Sequence, residues 1–139
     1  MPGWGAGSFE NEDAQKFLGR LASLGIDDLR QILARAADQG DYLEAPESSV
    51  AVAAAEIVAA LVSAAKDETA SSSTPRQIFD WLSKSEARAT PDLADLARRA
   101  VERVRTNSEL KDLWLEAEGL NEWSAALRDL EERLSEGIA

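Results

Sequence analysis

Apolar residues recur three and four positions apart through most of this 139-residue chain, the spacing that gathers them on one face of an α-helix. Phe17, Leu18, Leu21 and Leu24 form one stripe, and Leu29, Ile32, Leu33 and Ala36 form the next. Gly25 separates the two, Asp27 or Asp28 is placed to cap the second helix, and Gly40 to end it. Pro46 then breaks any continuation. The segment ESSVAVAAAEIVAALVSAAKD is different in kind. It is apolar nearly all round, which predicts a helix surrounded by others, and its alanines join high helix propensity to close approach of neighbours.

The polar stretch that follows, with residues 67–74 as a flexible linker within the domain, leads to two similar helix starts. Thr74–Pro75 and Thr90–Pro91 each set a capping hydroxyl before a proline suited to the first helical position. Ile78, Phe79 and Leu82 mark the first of these helices. Leu93, Leu96, Ala97, Ala100, Val101 and Val104 mark the second. Ser108 or Asn107 caps a helix with Leu110, Leu113, Trp114 and Ala117 on one face, and Gly119 stops it. Asn121 opens the last, striped by Trp123, Leu127, Leu130 and Leu134. β-Branched residues outside the stripes are too few for a strand, and no fixed-period repeat is present. The pattern predicts an all-α fold: a compact bundle of about seven helices around a central Ala-rich helix, one domain over 1–139 with an irregular arm at 1–12.

Composition narrows the chemistry. The chain has no cysteine and no histidine, so disulfides, thiolate chemistry, the commonest general base and the commonest transition-metal ligand are all missing. The longest apolar run, Val50–Val62, is interrupted by Glu56 and is short for a membrane span. With no basic-then-apolar N-terminus, the expectation is a cytoplasmic protein. The net charge of −11 argues against a nucleic-acid surface, which needs clustered Lys and Arg. Residues 106–139 alone carry 9 acids and 3 bases. Their apolar positions are used by one stripe per helix, which leaves Asp112, Glu116, Glu122, Asp129, Glu132 and Glu136 to form an exposed acidic face for a basic partner.

The N-terminal stretch GWGAGSFENEDA stands apart from the helical remainder. Gly3, Gly5 and Gly7 alternate without a preceding strand or a loop lysine, so neither a dinucleotide fingerprint nor a P-loop is present. Glycines that permit positive φ and close approach suit an arm lying across helices, with Trp4 and Phe9 inserted between them. Asn11 caps the first helix, and Glu12 and Asp13 occupy its first turn. Glu56 lies within AAAEIVAA, the most apolar stretch. A carboxylate there must be paired, hydrogen-bonded, protonated or beside a wet cleft. The expected partners are amides of the glycine arm, the Trp4 indole or an arginine. The sharper alternative gives Glu56 acid–base work with Asp13 or Glu109 as a second carboxylate. No acids converge with metal-loop spacing, and Arg98, Arg99, Arg103 and Arg105 are expected to pair with acids of the last two helices.

The combination of WGAGSFENEDA, YLEA, AVAAAEIVAAL and NSELKDLWLEA with a later tryptophan resembles a bacterial family catalogued as domain of unknown function 4259. Its pattern of W-G-x-G-x-F-x-N-D, an A-A-A-E helix and S-E-L-x-x-L-W falls on Trp4, Gly5, Gly7, Phe9, Asn11, Ala53 to Glu56, Ser108, Glu109, Leu110, Leu113, Trp114 and Trp123. One departure is Glu12 at the pattern's aspartate. The resemblance implies a shared scaffold and carries no activity, cofactor or substrate. It also suggests one junction in which the arm (Trp4, Gly5, Gly7, Phe9, Asn11, Asp13) crosses the helix of Glu56 and meets Glu109 and Trp114. The functional expectation is a non-enzymatic protein-interaction module, immunity-like or regulatory, monomeric or homodimeric. It is expected to need no metal or cofactor and to bind no nucleic acid or membrane. The alternatives are a small-molecule or weakly catalytic domain using Glu56, and a structural subunit of a homo-oligomer.

Overall fold

The computed structural model describes residues 5, 7–38, 40–65, 75–85 and 87–138. Trp4 and the linker 67–74 therefore lie outside the described residues. Among those described are seven α-helices: α1 (Glu12–Arg20), α2 (Ile26–Asp38), α3 (Ala45–Ala65), α4 (Arg76–Lys84), α5 (Pro91–Thr106), α6 (Glu109–Glu116) and α7 (Leu120–Ser135). They pack compactly with no strand among the described residues, so the all-α expectation holds.

The Ala-rich α3 is the central helix, as expected, in contact with every other helix, and α5 lies beside it. In turn, α5 makes extensive contacts with α2, α3 and α7. The reason is composition: Ala51, Ala53, Ala54, Ala55 and Ala59 of α3 and Ala94, Ala97 and Ala100 of α5 are all buried. Small side chains let neighbouring backbones come close, so both helices can be enclosed. Around them the long stripes fill the core, with Phe17, Leu29, Leu33, Leu93, Leu127, Leu130 and Leu134 excluded from solvent. Each such side chain contributes roughly 1.5–3 kcal/mol on burial. By length and composition Ala45–Ala64 is apolar enough to cross a membrane, longer than the run read from sequence, but 67% of that window is buried inside the protein. It serves as a core helix.

Several helix ends differ from expectation for local reasons. Leu21–Ser23 tighten into a 3-10 turn after α1, and Leu24 is extended, so the first stripe is not one helix. The Gly25 carbonyl accepts the first bonds of α2, and the Asp28 carboxylate reaches back to the Gly25 N–H at 2.8 Å. Asp28 thus works from inside the helix, as the returning half of a capping box. Pro46 lies in the first turn of α3, where its missing N–H costs nothing; it starts the helix rather than breaking one. Pro75 itself precedes α4 as the cap residue, without a side-chain bond, whereas Thr90 caps α5 through the Leu93 N–H with Pro91 at the first position.

The α6–α7 corner is a Schellman turn. Ser108, not Asn107, caps α6 by accepting from the Lys111 N–H. At the other end the Gly119 N–H donates to Trp114 O at 3.0 Å and the Glu118 N–H to Leu115 O at 3.2 Å. The left-handed residue is Glu118, at φ 61°. Gly119 instead begins α7, displacing Asn121 from that role. It is glycine for space: a Cβ there would stand 2.7 Å from the Trp114 ring.

Candidate functional site

The described part of the N-terminal arm, Gly5 and residues 7–11, folds onto α3 beside α6 and α7. Residues 7–10 form a turn closed by the Glu10 N–H to Gly7 O, and the Glu10 carboxylate folds back to accept the Gly7 N–H at 3.0 Å. Methyl groups at Gly5 or Gly7 would collide with that carboxylate. Among the described residues no glycine has positive φ, and the group that a Cβ would meet at these two is the end of the flexible, exposed Glu10 side chain. Asn11 caps α1 by accepting the Ala14 N–H at 2.8 Å, and Gln15 donates to Phe9 O. Phe9 is half-buried against the core. The turn therefore delivers Ser8 to the surface of α3.

There Ser8 meets Glu56. The Ser8 hydroxyl donates to Glu56 Oε2 at 2.6 Å, and Arg133 of α7 donates to Oε1 at 2.9 Å and Oε2 at 3.4 Å. The Glu56 side chain is 16% exposed, so most of its hydration has been exchanged for these contacts. Burial opposes the charge on Arg133, but the hydrogen bond and attraction of Glu56, with help from Asp129, outweigh it and raise the guanidinium above its ordinary pKa. The arginine from α7 had no mark in the sequence pattern, and no cation stands one turn away from Glu56 on α3 itself. That lack was the only available signal that a distant partner was needed.

Beside this contact Gly5, Gly7, Ser8 and Asn11 of the arm, Ser49 and Val52 of α3, Leu110 and Trp114 of α6, and Trp123 and Leu127 of α7 enclose a cavity of about 10 Å³. That is room for about one water molecule. Trp114 and Trp123 are both buried. Gly5, Gly7, Asn11, Trp114 and Trp123 of the motif pattern thus meet here, with Trp4 outside the described residues.

Glu109 is elsewhere. Its carboxylate accepts the Ala45 N–H at 2.8 Å, and its own N–H donates to Leu43 O at 2.8 Å. It caps the N-terminus of α3 from another helix, about 16 Å along the axis from Glu56 at 1.5 Å per residue. Asp13, half-buried in the first turn of α1, makes no hydrogen bond to either. The proposed carboxylate pair is therefore not assembled by Glu56 and Glu109. The arginine expectation also needs correction. Arg105 does reach a late helix, bonding Glu131 of α7 at 2.6 Å. Arg98 pairs with Asp95 and Glu102 on α5, Arg99 with Asp95 and with Asp38 of α2, and Arg103 donates to Asp41 O. Spacing of i, i+3 and i, i+4 within α5 explains the local choice.

The acidic positions divide. Asp112, Glu116, Glu122, Asp129, Glu132 and Glu136 are all exposed, but Asp129 is paired with Arg133 at 3.1 Å. Asp112 accepts from the Tyr42 hydroxyl. That bond, with the negative charges of Asp112, Glu109 and Glu116, pushes the Tyr42 pKa up to about 12. Tyr42 and Leu115 are 51% and 56% exposed. Leu115 lies one turn beyond Asp112 on the same side of α6, so two large apolar groups sit among the carboxylates. Sequence reasoning named neither.

A family model described as a domain of unknown function (DUF4259) matches residues 3–126. The chain belongs to this family. No curated protein and no solved structure matches it. The matched span holds the arm, Glu56, Glu109 and Trp114, whereas Arg133 lies beyond it.

Proposed function

We propose that this family member is a non-enzymatic binding module whose acidic α6–α7 surface receives a basic protein. The carrying observation is the pair of exposed side chains, Tyr42 and Leu115, set among Asp112 and Glu116. Interfaces commonly combine an aromatic or aliphatic anchor with a polar rim. The carboxylates would steer a basic partner toward it, raising the association rate more than the final affinity. A chain without cysteine also suits a reducing, cytoplasmic setting. The engagement of Glu56 by Ser8 and Arg133 weighs in the same direction, because a saturated carboxylate is a poor general base.

The test is affinity capture from the native host with wild type, with Tyr42→Ala/Leu115→Ser, and with Asp112→Asn/Glu116→Gln. A basic protein should be retained by wild type and lost by the first variant. The second variant should slow its capture at low salt and matter less at high salt, where screening already acts. A partner held equally by all three proteins would overturn the assignment.

A further inference from the structure

A second cavity, of about 260 Å³, lies between α2 and the first turns of α3, and no described residue of the arm lines it. It is lined by Ile32, Arg35, Ala36, Pro46, Glu47 and Val50. Four of these offer only hydrocarbon, and Arg35 adds its methylene stem. An enclosed apolar cavity of about 150 Å³ accommodates benzene; this one is larger but opens to solvent at Pro46 and Arg35, with room for an aromatic ring with a short chain.

Glu47 is the acidic exception: its side chain is 37% exposed and ion-paired with Arg35, and its hydrogen-bond capacity is unspent. Its Oε1 stands 3.6 Å from Arg35 Nη2, beyond hydrogen-bond distance. Its Oε2 is buried and has no hydrogen-bond partner, an arrangement that costs free energy until a donor is supplied. The terminal torsion of a glutamate is broad and nearly two-fold, so a small rotation presents either oxygen to the cavity edge. The Arg35 side chain is 72% exposed and keeps its hydration, so it offers little to an anionic ligand. An anion would also face Glu47 and the chain's charge of −11.

From this we infer that the α2–α3 cavity is a binding site for a small primary amine with an apolar body, the ammonium donating to Glu47 and the body lying on Ile32, Ala36, Pro46 and Val50. The site is separate from the acidic α6–α7 surface, and its occupancy does not depend on a protein partner.

Three probes of one shape separate the contributions: phenethylamine, propylbenzene and phenylpropionate, titrated against the intact chain by calorimetry and by amide NMR shifts. Phenethylamine should bind saturably, shift amides of Ile32, Glu47 and Val50, and bind roughly tenfold or more tightly than either analogue. Glu47→Gln should remove that preference for the amine. Val50→Phe, which fills the cavity and leaves the carboxylate in place, should abolish saturable binding. Equal binding of amine and hydrocarbon would overturn the inference. So would an unchanged amine affinity in Glu47→Gln or Val50→Phe, shifts confined to α6 and α7, or no saturable binding.

Discussion

Replacing Arg133 by methionine tests what holds the N-terminal arm and α7 together across α3. Methionine keeps much of the arginine stem's volume while removing both charge-assisted bonds to Glu56. Removing one partner of a fully buried ion pair costs about 3–5 kcal/mol, because the other charge is left uncompensated. Here Glu56 is 16% exposed but the Arg133 side chain is 42% exposed, and the Ser8 hydroxyl still bonds Oε2 at 2.6 Å. Water can replace part of what is lost, which discounts the figure to about 2 kcal/mol. In urea this should appear as a lower midpoint at constant slope, and in thermal unfolding as a fall of roughly 8 °C in Tm. The other partner of Arg133 supplies the control. Asp129 is 68% exposed, so Asp129→Asn should cost no more than about 0.5 kcal/mol. Glu56→Gln combined with Arg133→Met removes both charges, so the double variant should lose about 1 kcal/mol less than the sum of the singles. If Arg133→Met is no more harmful than Asp129→Asn, or the cycle shows no coupling, the pair has no structural weight and the reasoning fails.

Four further outcomes follow from other contacts. Gly119→Ala should destabilise by about 2 kcal/mol in chemical unfolding, since its Cβ would press on the Trp114 ring and a packed indole cannot yield cheaply. Glu118→Gly should instead stabilise by about 1 kcal/mol by relieving a left-handed backbone at φ 61°; the opposite signs at adjacent positions make the check strict. Tyr42 is the sole tyrosine, so phenolate absorbance reports it alone: titration should centre near the raised value of about 12 and return toward about 10 in Asp112→Asn. Because the folded value is raised, the associated stability is complete below about pH 10 and lost as pH rises through 12, so wild type should lose that increment in alkaline unfolding curves and Asp112→Asn should not. Finally, Glu109→Ala should cost about 1 kcal/mol by leaving the Ala45 N–H uncapped, while Glu109→Gln, which keeps the acceptor, should cost less.

Helix order was legible because one period dominates the chain, and caps were legible where both partners lie within a turn. Asn11 with Ala14, Thr90 with Leu93 and Ser108 with Lys111 are all of that kind. The errors at helix ends came from residues with two competing uses. Proline both breaks helices and opens them, and Pro46 opens one. Glycine suits a left-handed stop and a close approach, and Gly119 serves the second while Glu118 takes the first. The site was legible to the extent that its motifs are local. The arm, Glu56 and Trp114 could each be singled out from sequence, whereas Ser8 and Arg133 bond Glu56 from 48 and 77 residues away. Long-range pairing leaves no periodic signal. Nor did Glu47, whose position in a helix's first turn reads as an ordinary dipole partner.

The geometry of Glu56 also constrains where chemistry can occur. Its two oxygens accept three bonds from Ser8 and Arg133, and the adjoining cavity, about 10 Å³, holds about one water. A ligand entering there would have to break the Ser8 bond and lift the arm. It would then face Trp114 and Trp123, whose burial holds α6 and α7 against α3. The two halves of the contact do different work. Ser8 gives one hydrogen bond that fixes where the arm lies, and Arg133 supplies the charge that lets a carboxylate remain in an alanine-rich helix. Only the first lies within the family-matched span of residues 3–126. Binding therefore has more room on the open surfaces, around the exposed Tyr42 and Leu115 and in the α2–α3 cavity beside Glu47.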